Sequence, residues 1–153
     1  MGRARGASGG QAAGRTLFCD TDVLVRLLTG DPPRQAQAAA EALEAAADGR
    51  FTLVVPDLVL AELAYVLTSA GMPAPKAAEH LMRILDLPGV EVMDEVTLRD
   101  AVGLWAQGRL DFADAYLAAL ARRVSESGVL SFDRDFDRLP GVTRVDPAES
   151  VQG

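Results

Sequence analysis

The sequence predicts an α/β domain of three layers, α/β/α, with a mostly parallel central sheet. Three observations carry this. Short β-branched or apolar runs alternate with longer runs of helical periodicity, and parallel neighbours in a sheet need crossovers of the kind those helices supply. The chain has 153 residues, close to the commonest size for one domain with one core. It is 49% hydrophobic and 24% charged, the make-up of a folded globular protein and not of a disordered one.

The strands are expected at Thr16–Cys19, Thr52–Val55, Val90–Met93, Val129–Ser131 and Val142–Val145. The helices between them are expected at Asp22–Thr29, Arg34–Asp48, Asp57–Ala70, Pro75–Leu85, Val96–Gln107 and Phe112–Ser127, with a short turn at Arg134–Leu139. Gly30-Asp31-Pro32-Pro33 separates the first two helices, and the Ala-rich run Ala36–Ala47 favours the second. Asp57, after Pro56, is placed to cap the third, which Gly71 can end with Pro73 just beyond. Leu87-Pro88-Gly89 closes the fourth, and Pro140-Gly141 precedes the last strand. One domain over residues 16–147 is therefore expected, with a disordered tail at 1–15 and a short tail at 148–153.

Composition removes several classes of function. No stretch approaches the roughly 18 apolar residues of a membrane span, and residues 1–15 lack the apolar core of a secretory signal. A single cysteine, Cys19, makes no internal disulfide, so a reducing cytoplasm is the expected compartment. One histidine, His80, in a helical pattern with no nucleophile motif beside it, leaves neither a zinc site nor a His-dependent triad. Fifteen basic against twenty-two acidic residues give a net charge of −7, which opposes nonspecific attraction to polyanions unless a cation reverses the sign locally.

The acids themselves carry the signal. Asp20 follows the strand Thr16–Cys19 directly and Asp133 follows Val129-Leu130-Ser131-Phe132, at the carboxyl edge where open α/β sheets bind ligands. If both strands are central and parallel, the two carboxylates share a crevice. Glu62 has Leu58, Val59, Tyr65 and Val66 as its helical neighbours, so it is expected on the core side, where a charge needs a cation or a donor network. Arg26 is one candidate partner for it. Asp111 and Asp114 open the helix of LDFADAYLAALA, and Asp114 falls on an apparent buried stripe with Leu110, Leu117 and Ala121. Acids converging from separate segments repel one another unless neutralised, and an all-oxygen set selects Mg²⁺ or Mn²⁺. An ion so held suits phosphoryl chemistry.

Four strings in this order, LFCDTDVLVRLLTGD, VPDLVLAELAYVL, LDFADAYLAALA and GVLSFDRDFDRLPGV, resemble the PIN-domain ribonucleases, and most of all the VapC-type toxins of toxin–antitoxin systems. They span about 17–142. The resemblance implies a PIN-like fold and a Mg²⁺- or Mn²⁺-dependent endoribonuclease whose acids are Asp20, Glu62, Asp114 and Asp133. Asp111 and Asp135 would be accessory acids, and Thr21 and Ser131 supporting hydroxyls. It further implies an RNA substrate, a homodimer and a cognate antitoxin. One departure stands out, since Asp22 occupies a position where the family commonly has Asn and adds negative charge beside the expected metals.

Residues that could hold RNA are Arg26, Arg34, Arg109, Arg134 and Arg138, with Phe112, Tyr116 or Phe136 to stack bases. Two other readings compete. Asp20-Thr21-Asp22 resembles the D-x-D of haloacid-dehalogenase-type phosphatases, which would make Asp20 a nucleophile and Asp22 a general acid, but the only lysine is Lys76 and Val-Leu follows where Gly-Thr is usual. The other is a non-catalytic interaction domain using the face of Val23, Leu24, Leu27 and Leu28.

Overall fold

The computed structural model describes residues 14–151. Along them run β1 (Arg15–Phe18), α1 (Thr21–Thr29), α2 (Pro33–Ala47), β2 (Phe51–Val54), α3 (Asp57–Ser69), α4 (Ala74–Asp86), β3 (Val90–Glu91), α5 (Glu95–Ala106), α6 (Phe112–Ala121), β4 (Val129–Leu130) and β5 (Arg144–Val145). A 3-10 turn over Arg134–Arg138 joins the last two strands. The expected tail at 1–15 lies largely outside the described residues, and the one at 148–153 partly so.

Every strand pairing is parallel, as the helical crossovers require. β2 sits between β1 and β3, with Leu17 opposite Leu53 and Leu53 opposite Val90. The α/β/α architecture expected from the sequence is thus present, six helices packed with a parallel three-stranded sheet. One detail of the expectation changes. β4 and β5 form a separate parallel pair, and among the described residues β4 is not hydrogen-bonded to β1. The backbone groups of this segment are spent on β5, through Val129 N–H to the Thr143 carbonyl at 2.8 Å and Ser131 N–H to Val145 at 3.1 Å.

The core is built from the inner stripes of the helices. Leu60, Leu63, Ala64 and Leu67 of α3, Leu81 and Ile84 of α4, and Leu98, Val102 and Trp105 of α5 are all buried. Trp105 meets Phe112 of α6 edge-on at 5.5 Å between ring centres. Leu24 of α1 is fully buried, and Val23, Leu27 and Leu28 pack against the same core, so the face considered for an outside partner is largely internal packing. At Gly89 (φ +79) the chain passes so close to the Ala46 carbonyl that a Cβ would overlap it, which fixes glycine between α4 and β3.

One helix end and one helix cap differ from expectation. α6 ends at Ala121 and not at Ser127, because the Ser127 hydroxyl turns back to the Ala121 carbonyl at 2.5 Å and Glu126 takes a left-handed φ of 56°. The N-cap of α3 is Pro56, without a side-chain cap. Asp57 accepts instead from the Tyr116 hydroxyl on α6 at 2.6 Å, a long-range bond in place of a cap.

Candidate active site

The carboxyl end of β1 turns directly into α1. Asp20 is extended (φ −84°, ψ 153°), and its carboxylate accepts from the Thr21 N–H at 2.8 Å, so the side chain both ends the strand and caps the helix. Thr21 is buried, and its hydroxyl donates to Glu62 Oε2 at 2.7 Å. This bond ties the start of α1 to the middle of α3. Arg26, one expected partner for Glu62, donates instead to Gln35 at 2.9 Å.

The expectation that Glu62 faces the core is corrected. Glu62 is exposed, because the buried stripe of α3 is Leu60, Leu63, Ala64 and Leu67 on the other side. The apolar neighbours that suggested burial, Leu58 and Tyr65, are themselves 79% and 72% exposed. Asp114 is likewise only half-buried, since the inner stripe of α6 is Phe112, Ala115, Ala118 and Ala119 while Leu117 is exposed.

A second group of acids gathers where α6 begins. Asp111 caps α6 by accepting from the Asp114 N–H at 2.9 Å. Beyond β4, the Asp133 N–H donates to the Ser131 hydroxyl at 3.0 Å, and the Asp133 carboxylate accepts from Asp135 N–H at 2.9 Å. Arg144 of β5 braces this loop, donating to the Ser131 carbonyl at 2.9 Å and to Asp137 at 3.0 Å. Partial burial first, then the charges of Asp111, Asp133 and Asp135, push the Asp114 carboxyl above its ordinary range. The elements bearing the acids are linked by packing, α3 against both α1 and α6, and α6 against β4.

What the arrangement offers chemically is unneutralised carboxylate. Among the described residues, no Lys or Arg forms an ion pair with Asp20, Glu62, Asp111, Asp114 or Asp133, whereas Asp86, Asp94, Asp100 and Asp137 are all paired. Carboxylate oxygens without a basic partner are the donor set a hard divalent cation fits. As the side chains stand, no three His, Cys, Asp or Glu groups among the described residues are drawn together closely enough to hold one ion. The structure joins Asp20 with Glu62 through Thr21, and Asp114 with Asp111, Asp133 and Asp135 through proximity.

The model of the PIN domain family matches residues 17–142, nearly all of the described fold and all the acids above. The chain belongs to the PIN domain family. PIN domains are in general nucleases dependent on divalent metals such as Mg²⁺ or Mn²⁺, which accords with this oxygen-rich, unpaired donor set. Comparison with curated proteins gives no match. Among the described residues, no helix of this PIN domain is long and apolar enough to cross a membrane.

Several side chains of the PIN domain take roles the sequence did not reveal. Phe112 and Phe136, considered for base stacking, are buried, and Tyr116 is held by Asp57, which pushes its phenol up to about 12. The exposed aromatics are Phe18, Tyr65 and Phe132. Strand alternation could have found the first, since Phe18 and Asp20 are two residues apart and Cys19 between them is buried. Of the expected basic rim, Arg138 pairs with Asp135 at 3.8 Å, while Arg34, Arg109 and Arg134 form no ion pair among the described residues.

Proposed function

We propose that this PIN domain is an endoribonuclease, that Asp20, Glu62, Asp114 and Asp133 hold its one or two Mg²⁺ or Mn²⁺ ions, and that it is the toxin of a toxin–antitoxin pair. The observation that carries the reading is the set of carboxylates that, among the described residues, have no basic partner, at the ends of β1 and β4 and on α3 and α6. When bound, the metal supplies Lewis acidity to a phosphodiester and activates water for in-line attack. The protein's own groups supply the rest. Thr21 orients Glu62, and Asp133 is set by its bonds to Ser131 and Asp135. Asp114, whose carboxyl is raised by partial burial and by the neighbouring acids, or a carboxylate beside it would accept a proton during hydrolysis. Asp111 and Asp135 add negative charge around it.

As a toxin the chain would act in the cytoplasm as a homodimer, and its antitoxin would present Arg or Lys to the acids. A phosphatase with Asp20 as nucleophile fits less well, because no cation pairs with Asp20 among the described residues and Lys76 is engaged with Glu79 on α4 at 3.7 Å. The deciding experiment is incubation of the antitoxin-free chain with a mixed cellular RNA pool in Mg²⁺ or Mn²⁺, with EDTA and Asp20→Asn as controls. Discrete products lost in both controls are expected. Undiminished cleavage by Asp20→Asn would overturn the assignment of the site, and phosphate release from small esters without RNA cleavage would favour the phosphatase.

A further inference from the structure

Of the five Phe, two Tyr and one Trp in the chain, only Phe18, Tyr65 and Phe132 are exposed, at 71%, 72% and 78%. Each stands beside an acid of the candidate site, and each on a different segment of the chain. Phe18 precedes Asp20 by two residues on extended chain, so both side chains leave the same side of β1 while Cys19 turns inward. Phe132 immediately precedes Asp133. Tyr65 lies one helical turn beyond Glu62, on the same exposed face of α3. Arg134, next to Asp133, is exposed and forms no ion pair among the described residues. Large aromatic rings left in water forgo burial, and rings placed beside unpaired acids and a spare guanidinium match how proteins grip unpaired nucleotides: bases stack on rings while a cation takes the phosphate.

We propose that Phe18 and Phe132, with Tyr65, are base-stacking residues that hold single-stranded RNA across the acids, and that Arg134 contacts its backbone. The inference rests on the nuclease reading and deepens it. Because stacking needs splayed bases, the site takes unpaired RNA in preference to a duplex. The rings act on substrate binding and leave the acids untouched.

The test uses the full chain carrying Asp20→Asn, to stop cleavage, and a fluorescent unstructured RNA of twelve nucleotides read by anisotropy. Phe18→Ala and Phe132→Ala should each weaken binding roughly tenfold, the usual loss for one stacked base. Phe132→Trp should retain it, and Met93→Ala, an equally exposed apolar residue on none of the segments that carry the four acids, should change nothing. In the uncrippled chain the two alanine variants should raise KM with little change in kcat, and melt at the parent temperature with the same shift on adding Mn²⁺. Equal affinity for a twelve-base-pair RNA duplex, or alanine variants that bind within twofold of the parent, would overturn the stacking proposal while leaving the nuclease reading intact. A parent chain that neither binds nor cleaves RNA would overturn both.

Discussion

At the residue scale, what distinguishes this molecule is which polar groups have partners. Asp57 has one oxygen bonded to Tyr116, while the other is buried without a partner, so the carboxylate depends on that phenol. The bond to Asp57, then burial, raise the Tyr116 phenol to about 12 against an ordinary tyrosine near 10. Because the folded value lies above the unfolded one, the pair's contribution to stability is full below pH ~10 and is lost as pH rises toward the folded value. Ultraviolet titration at 295 nm should show one tyrosine ionising only in that higher range, and Asp57→Asn should bring it down. Cys19 gives a second reading of the same kind. Burial first, then the charges of Asp20 and Asp22, raise its thiol to about 11, so it should resist alkylation at neutral pH until the chain unfolds. Alkylation of the native chain at the rate of a free thiol would contradict this. The strand-end places of Asp20 and Asp133 were legible in the sequence because strand ends are set by local pattern. The exposure of Glu62 was not, since the apolar residues Leu58 and Tyr65 around it form an outward face that periodicity alone cannot tell from an inward one.

At the scale of elements, the sequence carries helices well and strand partners poorly. The six helices begin within a residue of their expected starts, where Pro33, Pro56, Asp94 and Asp111 mark the ends chemically. The stop of α6 was missed because it is set by a hydroxyl six residues downstream, a contact that has no local signature. Strand order is likewise a matter of distant backbone pairing, and two-residue strands such as β4 and β5 leave almost no pattern to read. Packing between elements gives sharper expectations. Trp105 and Phe112 lock α5 to α6, so Trp105→Ala should cost about 3–5 kcal/mol in urea unfolding. Gly89→Ala meets both a left-handed backbone and the Ala46 carbonyl, and should cost more than about 2 kcal/mol by the same measurement. A Gly89→Ala chain as stable as the parent would mean that α2 and the approach to β3 can move apart.

For the whole molecule, the question is how a chain of net charge −7 keeps its acids together and still meets a polyanion. The fold places several arginines on other acids, as where Arg122 joins Asp100 at 2.9 Å and Arg144 joins Asp137 at 3.0 Å, while among the described residues Asp20, Glu62, Asp114 and Asp133 form no ion pair. At Asp114 the charges of Asp111, Asp133 and Asp135 add to partial burial against the ionised carboxyl. Relieving this penalty by any route should stabilise the fold. Asp114→Asn should therefore raise the melting temperature of the metal-free chain near neutral pH, since partial burial and the neighbouring acids penalise the charged form of this carboxyl in the folded state. Mg²⁺ or Mn²⁺ should do the same in the parent, by roughly 5–10 °C at a hundredfold excess over Kd for a domain of this size. The two effects draw on one source, so they must not add: the Asp114→Asn chain should gain less from metal than the parent does. Calorimetry of both chains with and without Mn²⁺ measures this directly. Equal metal shifts in the two would place Asp114 outside the ion's reach, whereas a metal shift confined to the parent would tie the crowding at α6 to the same ion that Asp20 and Glu62 are proposed to hold.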